Sequence, residues 1–184
     1  MHRGIVAASV AALCALGIVE ARQTGVRAKA EIKGEGISGS VEFREIPAAD
    51  QKFGTGRAVE ITVSVSGLKP GEHGLHLHAV GKCEAPGFTT AGGHFDPGPS
   101  GNMDPDANHP YHMGDLPNLM ADANGKATLK AMTTRVTLSD GPLSLFDADG
   151  SAVIIHGNPD QNTTGETKSG LSGGPRVACG VIAK

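Results

Sequence analysis

Five histidines in this chain have spacings from which they could bind a metal. His76 and His78 are separated by one residue, and because side chains of a β-strand alternate between its faces, both imidazoles would point the same way. The other three are His94, His112 and His156. Neutral imidazole suits copper and zinc, whereas magnesium and calcium prefer oxygen ligands. The pattern predicts a transition-metal site, although a His-x-His pair taken alone is more often two exposed polar residues.

The elements that must position these side chains are predicted to be β-strands. Residues 59–66 alternate apolar and polar side chains without interruption, which is typical of a half-buried antiparallel strand. Shorter stretches of strand character are residues 28–32, 41–44, 119–120, 127–131, 153–155 and 177–182. Asn124-Gly125 predicts a two-residue hairpin between two of them. These stretches predict about seven strands. No stretch has the sustained periodicity of a helix, so an all-β domain is expected.

Two long stretches, residues 81–116 and 157–175, lack strand character altogether. Long irregular loops in a compact domain are usually functional, because a loop without its own secondary structure is otherwise costly to order. These two stretches contain or flank every candidate metal ligand beyond His76 and His78. We therefore expect them to be functional loops supported by the strands.

Composition limits the classes of protein to which the chain could belong. Its 184 residues are enough for one domain with a proper core and too few for two comfortable ones. With 27 Gly, 11 Pro and only 3% aromatic residues, the chain is expected to be rich in turns. The absence of Trp and a net charge of −3 argue against a nucleic-acid partner, since neither stacking nor phosphate attraction is favoured.

The N-terminus has the pattern of a secretory signal peptide. Residues 5–19 form an uncharged apolar stretch after Arg3, and Val19-Glu20-Ala21 places small residues at the two positions that define a cleavage site. This predicts a signal peptide over residues 1–21 and a mature domain over residues 22–184. The stretch is too short for a comfortable membrane span, and a retained anchor is the alternative. Export predicts a periplasmic or secreted protein without stable membrane association after cleavage.

Six segments, in this order, resemble the Cu/Zn superoxide dismutase family, in particular its exported, bacterial-type members. They are residues 74–78, Cys83, 93–97, 112–116, 153–156 and 176–182. The resemblance extends from about residue 28 to residue 184. It implies an all-β fold, a Greek-key antiparallel β-sandwich or barrel with two long functional loops; Cu/Zn superoxide dismutases are themselves an example of sandwich architecture.

The three cysteines fit an exported member of this family. Cys14 would leave with the signal peptide, and Cys83 and Cys179 would remain. In an oxidising compartment the remaining two are expected to form one disulfide. Two buried free thiols are the alternative.

The resemblance also implies two adjacent metal sites. Copper would bind His76, His78, His94 and His156. Zinc would bind His94, which bridges the metals, together with His112, Asp115 and one further ligand. When copper is reduced, His94 would leave it and take up a proton for the peroxide.

The chain departs from the family pattern at the remaining zinc ligand. The family has a histidine early in the loop, near residues 102–106, and this chain has none there. His109 is the spare imidazole, and the loop, rich in Gly, Pro and Asn, could place it at the site. Asp104 or Asp106 could substitute, because zinc also accepts carboxylate oxygen. A degraded zinc site is the third alternative.

Arg176, Asp160 and His73 are further residues for which the sequence predicts a role or an environment. The resemblance implies that Arg176 docks the substrate anion beside copper, which makes Arg176 and His94 the candidate catalytic residues. It also implies that Asp160 hydrogen-bonds one copper ligand and one zinc ligand, and such carboxylates fix the orientation of ligating histidines. His73, just before the His76 strand, is expected to be an exposed loop residue.

The resemblance predicts a superoxide dismutase, with superoxide as substrate and copper and zinc as cofactors. The alternative is a non-catalytic copper- or zinc-binding protein on the same fold, which would be expected to lack a copper ligand or the docking arginine. This chain has all four candidate copper ligands and Arg176. A structural adhesion sandwich would leave the histidines unexplained. A homodimer remains open, because apolar strand faces could belong to a core or to a subunit interface.

Overall fold

A computed structural model describes residues 25–48, 56–97, 112–163 and 172–184, and it is built from nine β-strands. They are β1 Arg27–Gly34, β2 Ser38–Pro47, β3 Arg57–Ser66, β4 Gly71–His73, β5 Leu75–His78, β6 Leu119–Ala121, β7 Ala127–Thr133, β8 Ala152–His156 and β9 Arg176–Ala183. A short 3-10 turn covers Thr89–Ala91. The strands predicted from the sequence are confirmed. Within the described ranges, no helix has the length and apolar character to span a membrane.

The strands form one antiparallel sheet in the order β4-β6-β7-β3-β2-β1-β9-β8-β5. The first and last strands of that order, β4 and β5, are consecutive in the chain and separated only by Gly74. The sheet therefore almost closes into a barrel. Because β7 pairs with β3 while the next strand, β8, pairs with β5 and β9, the connection between β7 and β8 crosses the barrel. This Greek-key arrangement confirms the predicted fold class.

Alternation of side chains along the strands builds the barrel core. On β3 the apolar side chains of Val59, Ile61, Val63 and Val65 are buried, while the polar residues between them are exposed or half-buried. Burying a side chain of this size contributes about 1.5–3 kcal/mol. The core and the alternation together fix the register of β3 and its neighbours, since a slip of one residue would bring polar groups inside.

Strand β8 is buried on both of its faces, which explains its continuous apolar run. Val153 and Ile155 belong to the main core. Ala152 and Ile154 pack on the other side in a second cluster, whose remaining members are Phe88, Ala91 and Cys179, with Cys83 packed against it. The loop that follows His78 therefore covers the outer side of β8, and His156 at the end of that strand is buried beneath it.

The hairpin between β6 and β7 is longer than predicted. Asp122 N–H donates to the Lys126 carbonyl (2.8 Å), so three residues, not two, lie between the paired ends. Asp122 Oδ1 accepts the N–H groups of Asn124 (2.8 Å) and Lys126 (2.9 Å), and Gly125 has a φ of 75°. The Asp122 carboxylate thus selects a turn closed by a left-handed glycine in place of the two-residue turn that Asn-Gly usually forms.

A buried carboxylate attaches the segment after β7 to the barrel. Glu45 on β2 is only 2% exposed, and it accepts hydrogen bonds from the Leu138 N–H (2.6 Å), the Ser139 N–H (2.9 Å) and the Ser139 hydroxyl. Arg57 Nη1 donates to the same carboxylate (2.7 Å). Burial acts to raise the pKa of Glu45, but the hydrogen bonds from Ser139, Leu138 and Arg57 outweigh burial and lower it.

We expect Glu45→Gln to lower the free energy of unfolding at pH 7 by about 1–3 kcal/mol, because the amide cannot accept all of these bonds. A carboxyl group whose pKa is lowered by folding stabilises the protein at any pH above its pKa in the unfolded state. That contribution is lost as the pH falls through the pKa of the folded state. Urea unfolding of the metal-free, disulfide-linked proteins should therefore give a lower free energy of unfolding for Glu45→Gln than for the wild type at pH 7. This difference between the two proteins should shrink below about pH 4. The matched control is Glu60→Gln, whose solvent-accessible, half-buried pair with Arg44 should contribute less than about 1 kcal/mol. An equal loss in both variants would contradict the anchoring role of Glu45.

Candidate metal centre

Strand β5 brings the first two histidines into the interior. His76 and His78 are both fully buried, and two irregular segments lie alongside the strand, with His94 opposite His78 and Asp115 opposite His76. The second segment lies very close: a Cβ atom added to Gly114 would be 2.4 Å from the Leu77 carbonyl oxygen. Glycine at this position therefore permits residues 112–116 to lie directly on β5.

Four histidines converge beneath the loops. One ligand atom from each of His76, His78, His94 and His156 lies within 4.8 Å of the corresponding atoms of the others. The ring centroids are between 4.0 and 6.3 Å apart. We call these residues the four-histidine group. The structure thus brings together all four residues predicted as copper ligands.

Hydrogen bonds orient three of these rings. In each, one nitrogen contacts a protein oxygen: His76 Nε2 with Asp160 Oδ2 (2.6 Å), His78 Nδ1 with the Gly92 carbonyl (2.9 Å), and His156 Nδ1 with the Gly174 carbonyl (3.0 Å). Because carbonyl and ionised carboxylate oxygens only accept, these nitrogens carry the protons. The opposite nitrogens, His76 Nδ1, His78 Nε2 and His156 Nε2, are buried and have no hydrogen-bond partner among the described residues. Three lone pairs buried at one point fit a bound metal, which would offset the cost of leaving them unpaired.

The environment keeps these imidazoles neutral. Burial lowers the pKa of His76, lowers that of His78 well below its usual range, and lowers that of His156 to about 3. Neighbouring members of the group act in the same direction, since two imidazolium charges side by side repel. A metal must bind the deprotonated nitrogen, so His76, His78 and His156 are held in their ligating form at neutral pH. Neutral nitrogen donors are the ligands that copper and zinc accept.

A second group, His94, His112 and Asp115, adjoins the first through His94. His94 Nδ1 lies 2.7 Å from Asp115 Oδ1, and His112 Nδ1 lies 3.2 Å from Asp115 Oδ2. Burial acts to raise the pKa of Asp115, but hydrogen bonds from His112 and His94 outweigh burial and hold it well below its usual range. Two imidazoles and an ionised carboxylate fit a zinc ion. The candidates for the remaining ligand, His109, Asp104 and Asp106, lie outside the described residues.

Asp160 lies behind the four-histidine group. Besides its contact with His76, its carboxylate accepts the Asn162 N–H (2.7 Å). Its backbone is held by Asn118, which donates from Nδ2 to the Asp160 carbonyl (3.0 Å) and accepts the Asp160 N–H at Oδ1 (2.9 Å). Burial raises the pKa of Asp160, yet the bonds from His76 and Asn162 lower it overall. The carboxylate is therefore an ionised acceptor that orients His76.

The expectation that His73 is exposed was wrong. His73 is only 3% exposed, with its ring nitrogens 2.7 Å from the His156 carbonyl oxygen and 2.8 Å from the Lys69 carbonyl oxygen. It lies on β4, which was not predicted as a strand because it has only three residues. His73 thus connects the chain before β4 to the backbone of His156. Sequence spacing held no signal for this role, since both partners are backbone atoms distant in the chain.

Arg176 lies beside the four-histidine group at the start of β9, where it pairs with His156. Its Nη1 donates to the Phe88 carbonyl (2.9 Å) and its Nη2 to the Gly92 carbonyl (2.7 Å), the same oxygen that orients His78.

The disulfide Cys83–Cys179, predicted from the cysteine count, is confirmed with a Cα–Cα distance of 5.6 Å. The disulfide and the Arg176 hydrogen bonds both connect the loop after β5 to β9 and so restrict the position of the guanidinium.

The fold and these two groups define a Greek-key barrel with two adjacent clusters of side chains that could bind metal ions. A family model described as copper/zinc superoxide dismutase (SODC) matches residues 37–182, and the chain belongs to that family.

Individual relatives agree with this assignment. The chain is 40% identical over 129 residues to "Superoxide dismutase [Cu-Zn]" of Caulobacter vibrioides, which covers 67% of this chain and 71% of that protein. It is 35% identical over 169 residues to "Extracellular superoxide dismutase [Cu-Zn]" of Onchocerca volvulus, covering 85% and 75% of the two chains. Among solved structures, a SOD-like protein from Bacillus subtilis is similar to this chain with a TM-score of 0.65 and 29% sequence identity. The alignment covers 83% of this chain and 96% of the Bacillus subtilis chain.

Proposed function

We propose that the protein is a superoxide dismutase that converts superoxide to dioxygen and hydrogen peroxide. The observation that carries the proposal is the convergence, beside Arg176, of three buried ring nitrogens of the four-histidine group, His76 Nδ1, His78 Nε2 and His156 Nε2, which have no hydrogen-bond partner among the described residues. Copper bound there would alternate between two oxidation states, accepting an electron from one superoxide and returning one to the next. His76, His78, His94 and His156 are its proposed ligands.

The other residues of the site have supporting roles in this proposal. Asp160 orients His76, and the Gly92 carbonyl orients His78. Arg176 carries a fixed positive charge that attracts and docks the superoxide anion. When copper is reduced, the His94 ring nitrogen opposite Nδ1 would be released from the metal and would hold a proton, which it would deliver to the departing peroxide.

Zinc is the proposed metal of the second group. His94, His112 and Asp115 would bind it with His109 as the remaining ligand, and Asp104 or Asp106 is the alternative. Zinc has no redox chemistry in proteins, so its contribution would be to hold the loop and the orientation of His94.

We also propose that the mature protein is exported to the periplasm or secreted. A disulfide between Cys83 and Cys179 is stable in an oxidising compartment, and one relative is an extracellular enzyme by name. The proposed signal peptide, residues 1–21, lies outside the described residues.

The metal-loaded protein provides the direct test. After loading with copper and zinc, we expect about one of each metal per chain and rapid dismutation of superoxide, measured by pulse radiolysis. Selective removal of copper should abolish the rate, and zinc alone should not restore it. The alternative is a non-catalytic copper- or zinc-binding protein on the same fold. One similar solved structure is named only as a SOD-like protein, which is compatible with this alternative. Full copper occupancy with a rate no higher than that of the zinc-only protein would favour this alternative.

A further inference from the structure

Arg135 connects the end of β7 to the turn that carries two of the proposed zinc ligands. It follows β7 by two residues, and its own N–H donates to Thr133 Oγ1 (3.2 Å). Its guanidinium donates from Nη1 to the His112 carbonyl (3.1 Å) and from Nη2 to the Asp115 carbonyl. These two oxygens belong to the first and last residues of the turn, so one rigid side chain contacts both ends of it.

The turn of residues 112–115 is closed internally as well. Asp115 N–H donates to the His112 carbonyl (3.2 Å), and Asp115 Oδ2 accepts the His112 N–H (2.7 Å). On one side the turn contacts β5 and the segment that contains His94. Leu116 N–H donates to the Leu75 carbonyl of β5 (3.1 Å), and Gly114 N–H donates to the carbonyl of Phe95, the residue after His94 (2.7 Å). Arg135 holds its two terminal carbonyls by a separate attachment from β7.

We propose that Arg135 is a positioning residue for the second metal, acting only through the backbone of His112 and Asp115. The proposal rests on the proposed function insofar as it takes these two residues to be zinc ligands. A metal site binds tightly when its ligands already have the bound spacing, because little ordering then remains to oppose binding. A planar guanidinium can donate to two carbonyls in fixed directions, which the single ammonium group of lysine cannot reproduce. Arg135 therefore sets the separation between the imidazole and the carboxylate.

The test compares Arg135→Gln and Arg135→Lys with the wild type, and Arg44→Gln is the matched control. Arg44 carries the same charge at a half-buried position on β2 and pairs with Glu60 on β3, away from the metal groups. Zinc affinity is measured by competition with a chelator. We expect a loss of about 10- to 100-fold for Arg135→Gln, the range typical of residues that orient a metal ligand. Arg135→Lys should lie between Arg135→Gln and the wild type, and Arg44→Gln should match the wild type.

Cobalt bound in place of zinc supplies a second measurement that does not depend on dismutation. Its visible absorption reports the geometry of the ligands, so Arg135→Lys and Arg135→Gln should shift the bands while Arg44→Gln leaves them unchanged. Urea unfolding of each metal-free variant identifies any that fails to fold. Unchanged zinc affinity and cobalt spectra in a folded Arg135→Lys or Arg135→Gln protein would overturn the proposal for Arg135 and leave the proposed activity intact. Conversely, a wild type that binds both metals but does not dismutate superoxide would refute the proposed function alone.

Discussion

Replacing His78 by alanine is expected to abolish superoxide dismutation while the disulfide-linked barrel remains folded. The change removes one of three buried nitrogens whose lone pairs point into the four-histidine group. It also frees the Gly92 carbonyl from His78, although Arg176 still donates to that oxygen. The rate should therefore fall by more than the roughly 100-fold typical for a residue that only orients a ligand. Pulse radiolysis at defined copper occupancy measures the effect.

Stability should change much less than activity in this variant. Within the described part of the chain His78 Nε2 has no hydrogen-bond partner, so the loss of this buried polar atom offsets part of the cost of the cavity that alanine leaves. Urea unfolding and thiol titration of the metal-free protein check the barrel and the Cys83–Cys179 disulfide. Ser151→Ala serves as the control, since Ser151 is also fully buried beside β8 but contributes to neither metal group. If copper-loaded His78→Ala dismutated superoxide at the wild-type rate, His78 could not be a copper ligand.

The sequence was most informative where side-chain periodicity decides the structure. Alternation along residues 59–66 predicted β3, because one face of that strand must fill the core. The pair His76 and His78 predicted two imidazoles side by side for the same reason. The order of the six family-like segments then predicted the Greek-key fold, which no single periodicity could have established.

Contacts to the backbone account for what the sequence could not predict. The ring nitrogens of His73 contact two carbonyl oxygens, Asn118 hydrogen-bonds the backbone of Asp160, and Arg135 donates to the carbonyls of a turn. A carbonyl oxygen is present at every residue, so no residue type marks it as a partner. The β6–β7 hairpin was mispredicted for a related reason, because Asp122 Oδ1 binds two N–H groups and overrides the local preference of Asn-Gly.

Arg176 is the position at which charge and geometry can be separated experimentally. Arg176→Lys keeps the positive charge, but its ammonium cannot reproduce the planar fork that holds the Phe88 and Gly92 carbonyls. Arg176→Glu reverses the charge and places a carboxylate near two carbonyl oxygens that it cannot bond. We expect a modest fall in the dismutation rate for lysine and a severe fall for glutamate, measured at matched copper occupancy. Copper affinity should be nearly unchanged in both, because Arg176 is not among the ligand candidates.

The salt dependence of the same three proteins distinguishes attraction at a distance from docking at contact. At 0.1 M ionic strength the Debye length is about 10 Å, so added salt screens the approach of superoxide more than its final contacts. The wild type and Arg176→Lys should therefore slow with similar slopes as salt is added, since both carry the charge that steers the anion. Arg176→Glu should slow less, or become faster, because salt then screens a repulsion. Equal rates and equal slopes in all three would mean that Arg176 only holds the loop after β5, and the alternative of a non-catalytic metal-binding protein would be favoured.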